Sequence, residues 1–155
     1  MIHLHPAGPG DAPQALAFME AFYREGGFEW HPDVARALER LLGDPTLGSV
    51  FLIEADGPLV GYVALCFGFS LEFRGRDGFV DEIYVTPEAR RRGIARAALL
   101  SLIEEARRLG VMALHLEAVK GNAHLMRLYA SLGFLERPHP FLTRVLDPLL
   151  DPLKE

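Results

Sequence analysis

The spacing of hydrophobic residues changes period several times along the chain, and each change marks an element. Leu16, Met19 and Tyr23 recur at three- and four-residue intervals, which predicts a helix with one apolar face. Asp11 opens it as N-cap with Gln14 as its capping-box partner, and Gly26-Gly27 closes it. A second helix starts at Asp33, carries Val34, Leu38, Leu41 and Leu42 inward, and ends at Gly43. Ahead of both, Ile2 to His5 reads as a short edge strand and Gly8-Pro9-Gly10 as a turn.

From Ser49 the helical period gives way to apolar, β-branched runs. Val50 to Ala55 and Leu59 to Phe69, joined by Asp56-Gly57-Pro58, predict a hairpin. Arg74-Gly75-Arg76-Asp77-Gly78 reads as a polar loop, Phe79 to Val85 as a strand, and Thr86-Pro87 as its end. Helical spacing returns between Gly93 and Leu109, with Ala95, Ala98, Leu102, Ala106 and Leu109 in line and Gly110 as terminator. Val111 to Val119 is expected as a strand, Asn122 to Leu132 as a capped helix closed by Gly133, and Phe134 to Arg137 with Phe141 to Leu146 as a final strand pair. The order predicts an α/β (α+β) fold: a mixed, mostly antiparallel sheet with helices on both faces. No repeat or linker interrupts it, so residues 1–155 are expected as one domain, with 147–155 a flexible or subunit-packing tail.

Composition narrows the functional classes. A net charge of -5 disfavours non-specific nucleic-acid binding, which depends on Lys and Arg neutralising phosphates. The longest apolar run, Leu59 to Phe69, is broken by Gly61 and Gly68 and falls short of the roughly 20 residues that span a bilayer. The start of the chain lacks a basic region followed by an apolar run, so no secretion signal is read. Cys66 is the single cysteine and no Cys/His group has zinc-ligand spacing; a reducing cytoplasm and no metal are expected.

The most informative segment is Val80-Asp81-Glu82-Ile83-Tyr84-Val85-Thr86-Pro87-Glu88-Ala89-Arg90-Arg91-Arg92-Gly93-Ile94-Ala95, a strand turning into a long helix. Unpaired N–H groups and the helix dipole favour an anion at such a turn. Gly93 leaves the backbone open to a pyrophosphate, Ala95 stays small, and Arg90 to Arg92 add positive charge. Further on, Asn122 caps a helix bearing Leu128-Tyr129 and followed by Gly133-Phe134. This arrangement resembles the GNAT superfamily of N-acetyltransferases, whose pattern is Arg/Gln-x-x-Gly-x-Gly/Ala after a strand, then Asn at the next strand-helix junction and Tyr seven residues later. Arg90, Gly93 and Ala95 match the first part, and Asn122, Tyr129, Gly133 and Phe134 the second; Leu125 stands where a small residue is frequent. A nicotinamide-binding turn fits poorly, because no Gly-x-Gly-x-x-Gly run follows a strand.

The resemblance implies acetyl-coenzyme A as cofactor. It implies that backbone amides from Arg91 through Arg92, Gly93, Ile94, Ala95 and Arg96 hold the pyrophosphate, with Asn122 as a further contact. The main chain of Ile83, Tyr84 and Val85 would bond the pantetheine arm, in a gap where this strand splays from the one holding His115 to Glu117. An alkylammonium must lose a proton before it attacks, so a base is needed. Glu82 and Asp81 are the candidates, Glu82 by a small margin, and strand alternation lets only one point into a given cleft. The competing reading pairs them structurally with Arg74 or Arg76. A backbone N–H between Ile83 and Val85 would steady the oxyanion, and Tyr129 occupies the position of the general acid that protonates the leaving thiolate. A packed Tyr129 with its hydroxyl bonded to backbone is the alternative.

Cys66 lies in an apolar strand, where a cysteine is usually a small hydrophobe, so direct transfer in a ternary complex is favoured over a covalent route. His124 is the histidine nearest the second motif. Phe67, Phe69 and Phe73, with Phe22, Tyr23, Phe28 and Trp30, are candidates for core or for the floor of an acceptor pocket. The expected partner is a small-molecule or peptide amine, with a homodimer plausible because the family commonly forms one. A catalytically silent acyl-coenzyme A-binding module and a structural dimerisation domain remain as alternatives.

Overall fold

A computed structural model describes residues 1–147 and 150. The chain builds a five-stranded sheet in sequence order. Its strands are β1 (Ile2–Pro6), β2 (Gly48–Ala55), β3 (Leu59–Ser70), β4 (Gly75–Val85) and β5 (Ala113–His115). The first four pair antiparallel, and β5 joins β4 in parallel. Helices α1 (Ala12–Gly26) and α2 (Asp33–Gly43) precede β2, α3 (Ile94–Arg108) crosses from β4 to β5, and α4 (Ala123–Ser131) follows β5.

Alternation along the central strands sorts side chains onto two faces. Val50, Leu52, Tyr62 and Ala64 pack with Phe18, Met19 and Leu38 of α1 and α2. Between them, Phe51, Val63 and Leu65 meet Leu99, Leu102 and Ala106 of α3 and Tyr129 of α4, while Ile53 and Val85 meet Ile94 and Ala98. Covering both faces explains why β2 and β3 read as largely apolar runs rather than alternating ones. Burying a side chain such as Ile53, Leu65, Leu99 or Leu102, none more than 1% exposed, stabilises the fold by roughly 1.5–3 kcal/mol each.

Several expectations are corrected. The Arg74 to Gly78 segment is not a loop beyond its first residue: β4 starts at Gly75 and pairs Gly75 with Ser70 and Gly78 with Phe67. Gly78 fits there because a Cβ would meet the side chains of Leu65 and Leu114 at 2.9 and 3.1 Å. Asp11 precedes α1 but makes no side-chain cap; its carboxylate accepts instead from the Gly8 N–H at 2.8 Å. The strand expected from Val111 to Val119 shrinks to β5, and the strand pair expected over 134–137 and 141–146 does not form. Leu135, Phe141, Leu142 and Leu146 are 67–86% exposed there, so the apolar spacing that suggested strands finds no face to cover. The tail expectation falls mostly on 148–149 and 151–155, outside the described residues.

Candidate active site

The short β5 creates the site. Its pairing with β4 covers only Asp77 with Ala113, Gly78 with Leu114 and Phe79 with His115. Beyond Phe79, β4 runs on to Val85 with a ladder partner on its β3 side alone, so the two strands part as expected and the edge groups of Ile83, Tyr84 and Val85 face a gap. A cleft of about 100 Å³ lies where they separate, lined by Phe79, Val80, Asp81 and Glu117.

β4 also carries a bulge. Val80 faces Leu65 and Glu82 faces Ala64, which leaves Asp81 as an extra residue without a cross-strand partner. Val80 and Ile83 pack on the α3 face, whereas Tyr84 packs on the α1 face, a pattern that strict alternation from Val80 would not give. The bulge breaks the strict alternation on which the choice between the two carboxylates rests: Asp81 lines the cleft between β4 and β5, whereas Glu82 faces Tyr62 on the α1 side. Both charges are felt by Tyr23, Tyr62 and Cys66.

Glu82 is partly buried, and its carboxylate accepts a hydrogen bond from the Tyr62 hydroxyl at 3.1 Å. Burial raises its pKa above the usual glutamate value; the nearby Tyr23 hydroxyl opposes this, the Asp81 charge adds to it, and donation from Tyr62 opposes it. Asp81 is more open to solvent, with its carboxyl also drawn upward by desolvation. Neither pairs with Arg74 or Arg76: the Arg76 guanidinium donates to the Leu109 carbonyl at 3.0 Å and lies 4.4 Å over the Phe67 ring. Burial, helped by both carboxylates, pushes the Cys66 thiol up to about 11, so it stays protonated near neutral pH.

At the far end of β4, Pro87–Ala89 forms a single 3-10 turn, Arg91 and Gly93 take left-handed φ of 61° and 73°, and α3 begins at Ile94. Backbone bonding resumes with Ala97 N–H donating to the Gly93 carbonyl, 3.0 Å. Among the described residues the amides of Arg91, Arg92, Gly93, Ile94, Ala95 and Arg96 donate to no backbone carbonyl. Consecutive free N–H groups around left-handed residues form a concave anion site at the positive end of the helix dipole. A Cβ on Gly93 would meet nothing within 4 Å, so this approach to the backbone is open.

The arginines divide their work. Arg90 does not reach into the turn: its guanidinium donates to the Val85 carbonyl at 2.8 Å and to Glu25 of α1, and lies 5.5 Å over the Tyr84 ring. Arg92 pairs with Asp56 at 2.9 Å. Arg91 and Arg96 make no ion pair among the described residues and are the cations left for an anion. Asn122 caps α4, its side-chain oxygen accepting from Leu125 N–H at 3.1 Å.

Tyr129 buries its ring beside Phe134, and desolvation raises its pKa. Its hydroxyl makes no protein hydrogen bond among the described residues, yet no buried side-chain polar atom lacks a partner, so the hydroxyl reaches the surface. That disfavours a packed tyrosine bonded to backbone. His124 sits exposed on the first turn of α4. The aromatic group splits: Phe22, Tyr23, Phe28 and Trp30 cluster by Tyr84 on the α1 face, Phe67 belongs to the α3 core, and Phe69 is 75% exposed. Sequence reasoning missed Tyr62 and the tie from Glu25 to Arg90, because both depend on cross-strand register rather than on local spacing.

A split sheet whose strand-to-helix turn presents a row of free amides defines an α/β protein with an open strand edge beside an amide-rich turn. The chain belongs to the acetyltransferase (GNAT) family, whose model matches residues 15–134. It is 37% identical over 99 residues to the L-methionine sulfoximine/L-methionine sulfone acetyltransferase of Salmonella typhimurium, covering 61% of this chain and 53% of that protein. It is 36% identical over 81 residues to the thialysine N-epsilon-acetyltransferase of Bos taurus, covering 52% and 47%. The aligned part thus spans about half the length of these curated relatives. An integron cassette protein from the Cole Harbour Salt Marsh metagenome shares the fold at TM-score 0.82 and 38% identity, over 94% of this chain and 91% of its own. An acetyltransferase of Clostridium acetobutylicum solved with acetyl-CoA superposes at TM-score 0.73 and 21% identity, over 93% and 96%.

Proposed function

We propose that the chain is an acetyl-CoA-dependent N-acetyltransferase acting on a primary amine of a small molecule or peptide by direct attack in a ternary complex. The observation that carries this reading is the run of unpaired amides from Arg91 to Arg96 at the end of the same strand that bears Asp81 and Glu82. Those amides, with Arg91 and Arg96, would hold the pyrophosphate, and the free edge of β4 from Ile83 to Val85 would bond the pantetheine arm. Bound acetyl-CoA supplies an activated thioester carbonyl. Glu82, with Asp81 beside it, takes the proton that makes the amine nucleophilic, and the exposed hydroxyl of Tyr129 returns a proton to the departing sulfur. A thiol as weakly acidic as Cys66 supports direct transfer rather than a covalent enzyme intermediate. The absence of any helix long and apolar enough to cross a membrane, among the described residues, fits work in the cytoplasm.

The test is release of coenzyme A thiol from acetyl-CoA over a panel of amines. The panel holds L-methionine sulfone, thialysine, lysine and a peptide with N-terminal alanine, because relatives of this chain act on methionine sulfone, on thialysine and on the alanine of ribosomal protein bS18. Amine-dependent release supports the reading. Tight acetyl-CoA binding with no release from any amine sinks it.

A further inference from the structure

Glu82 is gripped by groups that no part of the family pattern contains. Tyr62, on the neighbouring strand, is 1% exposed and donates its hydroxyl to the Glu82 carboxylate at 3.1 Å. Tyr23, near the C-terminal end of α1, brings its hydroxyl close enough to the same carboxylate to favour its charged form. Groups from three elements thus gather at one carboxylate: β4 carries it, β3 supplies its hydrogen-bond donor, and the α1 helix brings a second hydroxyl near.

The two tyrosines do not sit there by packing alone. Tyr23 packs edge-on against Trp30, at 5.3 Å between ring centroids, and against Phe22 at 5.8 Å, so its ring direction is fixed. Tyr62 lies 6.4 Å from the Tyr84 ring. Two residues after Tyr23, Glu25 accepts from the Tyr84 hydroxyl at 2.9 Å and from Arg90, so the end of α1 is fastened to β4 and to the turn ahead of α3. The hydroxyl of Tyr23 is thereby held at a set place beside β4.

We propose that Tyr62 is a positioning residue for the base, with the Tyr23 hydroxyl close by in support: the hydrogen bond from Tyr62 holds the Glu82 carboxylate in one orientation, and the two hydroxyls together keep it ionised, leaving its remaining lone pairs for the incoming ammonium. This rests on the transferase reading above. The physical need is plain, since a carboxylate in a half-buried site pays for its charge unless donors replace the lost water. Two hydroxyls do that without adding a positive charge that would repel a cationic acceptor. The other titratable groups facing Glu82 are Asp81 on its own strand, which opposes ionisation, and Cys66 on β3, which is neutral near pH 7.

The sign is definite. Removing a donor from an ionised carboxylate favours its protonated form, so the pH at which Glu82 loses its proton rises in Tyr62→Phe and in Tyr23→Phe. Both substitutions keep the ring and hence the packing. Titration of carbon-13-labelled glutamate carboxyls, with Glu82 assigned by its loss in Glu82→Gln, reads this directly and needs no substrate. Alongside it, kcat/KM for coenzyme A release with the fastest panel amine is followed over the same pH range as the titration. The expected result is an upward displacement of the Glu82 midpoint in each variant. It is matched by the same displacement of the acid limb of the rate profile, with kcat/KM on that limb falling about tenfold and acetyl-CoA affinity unchanged. A midpoint that stays put in both variants overturns the proposal, and so does a moved midpoint with an unmoved rate profile, which would leave the tyrosines purely structural. A wild-type protein inert toward every amine defeats the transferase reading instead, and the titration still decides whether the tyrosines govern the charge of Glu82.

Discussion

Tyr129 combines a buried ring with a hydroxyl that has no protein partner among the described residues, and that combination separates its chemistry from its packing. Tyr129→Phe keeps the contact with Phe134 and removes only the proton donor, so thermal stability should change little. If the hydroxyl acts on the leaving sulfur, kcat falls roughly tenfold to a thousandfold while acetyl-CoA affinity holds, because only interactions stronger in the transition state speed the chemical step. Single-turnover rates at saturating amine check this, and wild-type rates would remove Tyr129 from the reaction. Glu82 makes the opposite trade. Its pKa in the folded chain lies above its unfolded value, so its contribution is favourable at low pH and is lost as pH rises through the folded-state pKa. The ionised carboxylate is a burden on the fold at neutral pH. Glu82→Gln should therefore raise the melting temperature at pH 8, leave it nearly unchanged at pH 4, and cut kcat by about 100-fold or more. Calorimetric scans at the two pH values with a turnover assay decide the matter; equal melting shifts at both would contradict the charge argument.

At the scale of elements, the turn from β4 into α3 makes the sharpest forecast. Gly93 has φ of 73° with open space around its Cβ position, so a side chain there costs about 1 kcal/mol of backbone strain without a clash. Gly93→Ala and Gly93→Glu should be destabilised to a similar extent. Only the glutamate, carrying negative charge into the ring of free amides, should abolish acetyl-CoA binding by calorimetry; equal affinities would show that the turn holds no pyrophosphate. This turn was legible in the sequence because helix periodicity, a glycine and adjacent arginines are local signals. The helices were legible for the same reason, down to Asn122 as the cap of α4. What local spacing could not show was pairing. Arg76 and Gly78 read as loop residues although they lie in β4, and Val-Asp-Glu at 80–82 carries no mark of the bulge that breaks the alternation there. At 134–146 the apolar residues were present and the strands were not, since a strand needs a neighbour and β5 offers only three residues.

For the whole molecule, the sheet separates the groups that the proposed reaction needs. One face, under α1 and α2, holds Glu82 against Tyr62; the other packs α3, which begins at the turn of free amides, and α4, which bears Tyr129. The gap between β4 and β5 is the opening that joins the two faces. A ligand that binds across that gap stabilises the folded state by mass action, about 2.7 kcal/mol at a hundredfold excess over Kd. For a domain of this size that corresponds to a rise in Tm of about 5–10 °C with acetyl-CoA, checked by scanning calorimetry, and no shift would exclude tight binding. The bulge at Asp81 has a consequence of another kind. The pairs on either side of it, Val80 with Leu65 and Glu82 with Ala64, are already adjacent on β3, and Val80 and Glu82 already point to opposite faces. Loss of codon 81 would therefore close the ladder into a regular one without displacing a neighbour. The deletion should yield a folded protein by circular dichroism, with Glu82 still beside Tyr62 but the strand straightened and the extra carboxylate gone. A lineage can acquire or discard this kink in a single in-frame step, which makes position 81 a place where descendants of one enzyme can diverge in activity while inheriting the same sheet.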